Sequence, residues 1–190
     1  MSKTRPMWNE YFLLLAKFVS TRSTCNSRPV GAVVVKDNHI LATGYNGAKS
    51  GIAHCIDLDD FENGNPFCFR RSLAVSNSEK YNFCKSTHAE INAIEQALKR
   101  GISIKDSTLY VTLAPCFPCL KRISEENIKN VYYELPYESG SLENDLIWEQ
   151  QAMNAGLSIC EQLTISSETY DFCLGDIRLP TSRRRMKATK

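Results

Sequence analysis

The chain lacks a long uninterrupted apolar run. The apolar stretch near Leu13 is short and broken by Lys17, whereas a membrane-spanning helix needs about 20 apolar residues. No signal-peptide pattern is visible, so a cytoplasmic setting is expected. Charge of one sign is also lacking. The 23 Lys and Arg stand against 21 Asp and Glu, a formal net charge of +2, which gives no general mandate to bind a polyanion. No internal repeat is present. Cysteine, by contrast, is plentiful, with eight in 190 residues. In a reducing compartment, cysteines accompanied by histidines read as metal ligands before disulfides. The apolar fraction of 43% can build a core, and the length fits one domain with room for an insertion.

Along the chain, Trp8 to Val19 places Tyr11, Phe12, Leu15, Phe18 and Val19 at helical spacing, predicting an amphipathic helix with that stripe on the core. Val30 to Val35 is a β-branched run and reads as a strand. Asp37-Asn38 is turn chemistry, and His39 to Thr43 returns as a second strand. Gly44-Tyr45-Asn46-Gly47 is expected to break regular structure, its two glycines letting the backbone approach something closely. Periodicity fails from Lys49 to Ser86, as in an insertion held by something other than a core.

Thr87-x-x-Glu90 fits a capping box opening a helix, with Ile91, Ile94 and Leu98 inward and Gly101 as its stop. Thr108 to Leu113 is a strand. A helix starts at Pro115-Cys116 and runs through Ile123, followed by a strand from Val131 to Leu135. Asn144 to Ala155 is helical, and Leu157 to Cys160 is a candidate edge strand. Helices alternating with strands predict an α/β sandwich. One domain over residues 1–165 is expected, with the insertion at 49–86. A C-terminal extension covers 166–190 and ends in a basic tail around Arg183-Arg184-Arg185.

The chemistry concentrates in His88-Ala89-Glu90 and Pro115-Cys116-Phe117-Pro118-Cys119. Cys116 and Cys119 are three apart, so both thiols leave one face of a helical start, where unpaired N–H groups favour thiolates. With His88 they make three metal ligands. A structural zinc is normally closed by four protein ligands, whereas a catalytic one keeps a position for water. Such an ion lowers the pKa of water to roughly 7 and supplies a nucleophile at neutral pH. Glu90, beside the ligands without being one, is placed to carry protons. This H-x-E…P-C-x-x-C pattern is that of zinc-dependent nucleobase deaminases. Taken singly, each piece has a plainer reading. Glu90 could be only a capping carboxylate and His88 an ordinary first-turn histidine. Cys116-x-x-Cys119 could be a redox pair or half a zinc knuckle. The conjunction of both motifs is harder to obtain by accident.

Five segments together resemble a known family: Arg22-Ser23-Thr24-Cys25, Val30-Gly31-Ala32, Gly44-Tyr45-Asn46-Gly47, His88 to Ile94, and Tyr110 to Cys116. They are similar to the deoxycytidylate (dCMP) deaminases, especially the bacterial and phage branch, over roughly Trp8 to Tyr137. The resemblance implies a three-layer α/β/α sandwich around a mixed sheet of about five strands. It implies zinc-dependent hydrolysis of dCMP to dUMP and ammonia, and commonly a hexamer. Asn46, Ala89 and Tyr137 would then contact substrate, Asn46 through the deoxyribose. Gly44, Tyr45 and Gly47 would lie near a regulatory site for dCTP as activator and dTTP as inhibitor, with Mg2+ on the triphosphate. A phosphate also needs cationic or N–H donors; Arg28 and Lys49 flank the pocket loops and are candidates, although solvated surface charges read the same way.

The resemblance further implies a second, structural zinc, with ligands Cys25, His54, Cys68 and Cys84. Cys55 is a substitute for one of them. Four Cys/His ligands would leave no open position and would stabilise a loop without a core. The plainer reading makes Cys55, Cys68 and Cys84 small hydrophobes; Cys160 and Cys173 are expected to be packing residues. Competing functions are an RNA-editing deaminase of the tRNA adenosine type, a non-enzymatic zinc-stabilised module, and a deaminase of a free nucleoside or base. The first needs a basic stripe through the folded body, the second has no use for Glu90, and the long insertion disfavours the third.

Overall fold

Val33 and Val35 point to one side of their strand, Ala32 and Val34 to the other, and all four are buried. A strand apolar on both faces needs a layer on each side, and the fold supplies both. The computed structural model describes residues 5–58, 66–73, 80–136 and 142–174. The N-terminal helix α1 spans Trp8–Ser20, followed by strands β1 Gly31–Lys36, β2 His39–Tyr45 and β3 Gly47–Ala48. The insertion contributes a short helix α2 at Phe69–Ser72 and 3-10 turns at Cys55–Asp57 and Lys80–Phe83. Then come β4 Ser86–Thr87, α3 Ala89–Lys99, β5 Thr108–Leu113, α4 Phe117–Glu125 and β6 Asn130–Leu135. Helix α5 (Leu142–Asn154), β7 (Ile159–Gln162) and α6 (Ser167–Leu174) complete the described chain.

The main sheet has the order β2-β1-β5-β6-β7. Its β2/β1 and β1/β5 pairs are antiparallel, its β5/β6 and β6/β7 pairs parallel. The expected mixed five-stranded sheet is therefore present. On one face, Ala32, Val34, Leu109 and Val111 pack against Ala93, Ile94 and Ala97 of α3 and Ile123 of α4. On the other, Val33, Val35 and Tyr110 pack against Phe12, Leu13 and Ala16 of α1 and Ile165. The Asp37-Asn38 turn has φ of 50° and 61°, as a tight hairpin with both central residues left-handed requires. None of the described helices is long and apolar enough to cross a membrane.

Four local expectations are corrected. Tyr11 and Phe18 are exposed, and α1 instead buries Phe12, Leu13, Leu14 and Ala16. The small Ala16 faces Gly31, where an added Cβ would lie 2.0 Å from the Ala16 carbonyl oxygen, so close backbone approach selects the buried face. Strand β2 continues through Gly44 and Tyr45 rather than breaking at Gly44. The Thr87 capping box does not form: Thr87 is engaged in the β3/β4 ladder opposite Gly47, and His88 occupies the N-cap. Leu98 is exposed and Ile91 only half-buried; the inward face of α3 is Ala89, Glu90, Ala93, Ile94 and Ala97. Small residues there let the helix sit close to the sheet. Helix α6 lies in the extension from residue 166, for which no element was expected.

Candidate active site

Two helix starts meet at one point. His88 caps α3 and Cys116 caps α4, both with extended backbone. Cys119 lies in the first turn of α4 and is buried, Cys116 is half-buried and His88 is exposed. The His88 Nδ1 atom is 3.3 Å from the Cys116 sulfur and 3.4 Å from the Cys119 sulfur. A sulfur and an imidazole nitrogen bound tetrahedrally to one zinc lie about 3.5 Å apart, given bond lengths of about 2.3 and 2.0 Å. The spacing therefore fits that ion. Among the described residues these three form the one Cys/His/acid group close enough to share a metal.

The electrostatics match the arrangement. The Cys116 thiol is pulled down to about 4, first by hydrogen bonding with Cys119, then with His88. Cys119 is pushed up by that same contact and by burial, so the pair releases its first proton from Cys116 and holds the second. His88 is raised, chiefly through its hydrogen bond with Cys116. Glu90 is buried at 4% exposure, and that burial pushes its carboxyl up to about 7. It is not a member of the three-ligand group.

Asn46 is buried and tied to the scaffold through both ends of its side-chain amide. Its Oδ1 accepts from Ser23 Oγ at 2.6 Å and from the Val30 amide at 2.8 Å, while Nδ2 donates to the Arg28 carbonyl at 2.9 Å. Ala89 is buried at the start of α3. Arg28 and Lys49 are both exposed. Tyr45 presents its side chain to solvent while its carbonyl accepts from Asn92 Nδ2. Gly44 is buried against α3 and Gly47 against the Thr24 hydroxyl. Tyr137 lies outside the described residues.

In the insertion, Cys25, Cys55, Cys68 and Cys84 line one cavity. Burial raises the Cys55 thiol, and the three other thiols add to the rise. His54 is not in that wall: its Nδ1 lies 3.0 Å from Thr24 Oγ1. The neighbouring Cys55, which opens the 3-10 turn that follows His54, does line the cavity. Cys160 and Cys173 pack beside apolar clusters. Sequence reasoning missed Trp148, whose indole nitrogen donates to the Pro115 carbonyl at 2.6 Å; no local pattern signals such a contact.

Fold and site define a class: a cytidine deaminase-like α/β/α domain with a zinc-type ligand triad beside a buried acid. Comparison with known proteins agrees. The family described as "Cytidine and deoxycytidylate deaminase zinc-binding region" matches residues 6–135. A deoxycytidylate deaminase of Mycobacterium phage D29 is 40% identical over 141 residues, 72% of this chain and 99% of that protein. ComE operon protein 2 of Bacillus subtilis (strain 168) is 34% identical, covering 88% of this chain and 77% of the relative. The crystal structure of the dCMP deaminase of cyanophage S-TIM5 in complex with dCMP and dUMP superposes with a TM-score of 0.61 at 28% identity, covering 84% of this chain and 99% of that one. The chain belongs to the cytidine and deoxycytidylate deaminase family.

Proposed function

We propose that the chain hydrolyses dCMP to dUMP and ammonia, at a zinc held by His88, Cys116 and Cys119. The observation that carries this reading is a buried carboxyl, Glu90, poised near pH 7 beside three ligand atoms at zinc spacing. The phage D29 and S-TIM5 relatives support dCMP as the substrate. When bound, the metal activates water for attack at neutral pH. Glu90 would carry one proton of the attacking water to the ring nitrogen and the second, from the hydroxyl then on the ring carbon, to the departing amine. Burial favours the protonated form of Glu90, which suits a group that must hold a proton between accepting and donating it. The water contributes the oxygen of dUMP, and the exocyclic nitrogen leaves as ammonia.

The second, structural zinc belongs to this reading, with Cys25, Cys68, Cys84 and either His54 or Cys55 as its ligands; the four cysteines line one cavity, which favours Cys55, and metal binding would have to draw their sulfurs closer together. A hexamer is part of the reading, as is regulation by dCTP and dTTP with Mg2+ near Tyr45. So are Asn46, Arg28, Ala89 and Tyr137 as substrate contacts, and a cytoplasmic setting. The test is to follow ammonia release from dCMP, cytidine, dCTP and a structured tRNA by the pure protein, with dCTP or dTTP added to the dCMP reaction. Activity on dCMP is expected. Activity confined to tRNA would replace the reading with an editing deaminase.

A further inference from the structure

The family match ends at residue 135, yet α5 beyond it reaches back to the turn that bears a ligand. Trp148 of α5 is buried, and its Nε1 donates a 2.6 Å hydrogen bond to the Pro115 carbonyl oxygen. Pro115 is itself fully buried and directly precedes Cys116. The Pro115 carbonyl and the Cys116 amide form one planar group, so holding that oxygen holds the plane from which Cys116 departs. The flanking peptides are also held. The Ala114 amide donates to the Leu135 carbonyl, and the Leu120 amide donates to the Cys116 carbonyl, both at 2.9 Å.

The two cysteines differ in what fixes them. Cys119 lies within α4, whose own hydrogen bonds set its backbone. Cys116 is the cap, with φ −71° and ψ 168°, outside the helix. The Leu120 amide of α4 ties down its carbonyl, but the peptide plane on its N-terminal side has to be fixed from outside α4. The indole is well placed to fix it, because it is wedged among Ala114, Leu120 and Ala152 and meets Tyr133 edge-on at 5.8 Å. A packed indole N–H has one direction to donate and no capacity to accept.

We propose that Trp148 is a positioning residue of the metal centre: its N–H orients the Pro115 carbonyl and so places the Cys116 sulfur for metal capture. This rests on reading His88, Cys116 and Cys119 as the ligands. Outer groups that orient ligands are worth about 10–100-fold in metal affinity. The test uses the full chain and two readouts besides activity: zinc affinity by competition with a chromophoric chelator, and the thiolate-to-cobalt absorption after Co2+ substitution. The metal and spectrum of His88→Ala serve as baseline, isolating this site. Trp148→Phe is expected to weaken zinc binding about tenfold and to alter the cobalt band. Replacing Trp148 by benzothienylalanine, which keeps the bicyclic shape but has no N–H, should do the same. Ala152→Gly loosens the same cluster without touching the N–H; it should lower the melting temperature and leave zinc affinity alone. A benzothienylalanine protein with wild-type affinity and spectrum overturns the positioning role while leaving the ligand set intact. Wild-type metal content in His88→Ala overturns both.

Discussion

A Cβ added at Gly44 would lie 2.2 Å from the Ala89 carbonyl oxygen and 2.4 Å from the Ala93 amide nitrogen. Both are backbone atoms of α3, so neither can swing aside. Strand β2 and the helix start that carries His88 and Glu90 touch through this glycine. Gly44→Ala must push α3 outward, at a cost of about 1–3 kcal/mol or more. Urea unfolding together with the deamination rate should show both falling. Unchanged stability would mean that the contact is not tight.

Glu90→Gln keeps the shape of the side chain and removes its proton traffic. Zinc content should stay at the wild-type level while kcat falls by about 10²–10⁴. Elemental analysis and a dCMP assay on the same sample decide the matter, and a retained rate would take Glu90 out of the mechanism.

Cys55→Ser and His54→Asn separate the two versions of the insertion site. The cysteine variant should lose about one zinc per chain and destabilise the insertion. The histidine variant should keep its zinc, because His54 faces Thr24. The opposite pattern would restore His54 as the ligand.

Asn46→Ala strands the Val30 amide, whose acceptor is Asn46 Oδ1, while the Ser23 hydroxyl keeps the Asn46 backbone carbonyl. Losing buried partners costs about 1–3 kcal/mol, so the melting temperature should drop even without substrate. A rise in KM with no loss of stability would instead mark Asn46 as a pure sugar contact.

Lys17 of α1 pairs with Glu134 of β6, its ammonium lying over the Tyr170 ring of α6. Burial is the largest single influence and would lower the Lys17 pKa, but the hydrogen bonds and charge attraction from Glu134 and Tyr170 together outweigh it and the net shift is upward from 10.5. A raised folded value means the stabilisation is complete below 10.5 and fades as pH rises through the higher folded pKa. Lys17→Met should therefore cost about 1–3 kcal/mol at neutral pH. Thermal melts across pH should show the gap to wild type steady up to about pH 10 and narrowing above it; a gap that widens there contradicts the pairing.

Strand and helix identities were largely legible because their signals are local. The β-branched run at Val30–Val35 and the Asp37-Asn38 turn act over a few residues. Which face of a helix is buried was less legible. The α1 stripe containing Tyr11 and Phe18 was a sound pattern, yet Gly31 offered closer contact to Ala16 and drew the helix round. Thr87 illustrates the same limit, since a residue with capping chemistry was claimed by a strand partner 40 positions upstream, Gly47.

What the sequence alone determined is the chemistry on offer: one imidazole, two thiols three residues apart, and an acid two residues past the imidazole. Only the tertiary structure decided how those groups and their supports meet. It drew Cys55 rather than His54 into the cysteine cavity, committed Asn46 to its neighbours' backbone, and set Trp148 on Pro115 from 33 residues away. The reason is physical. Side-chain type and short spacing are properties of the chain itself, whereas the direction of a single carbonyl or imidazole depends on packing among segments that meet only once the core has formed.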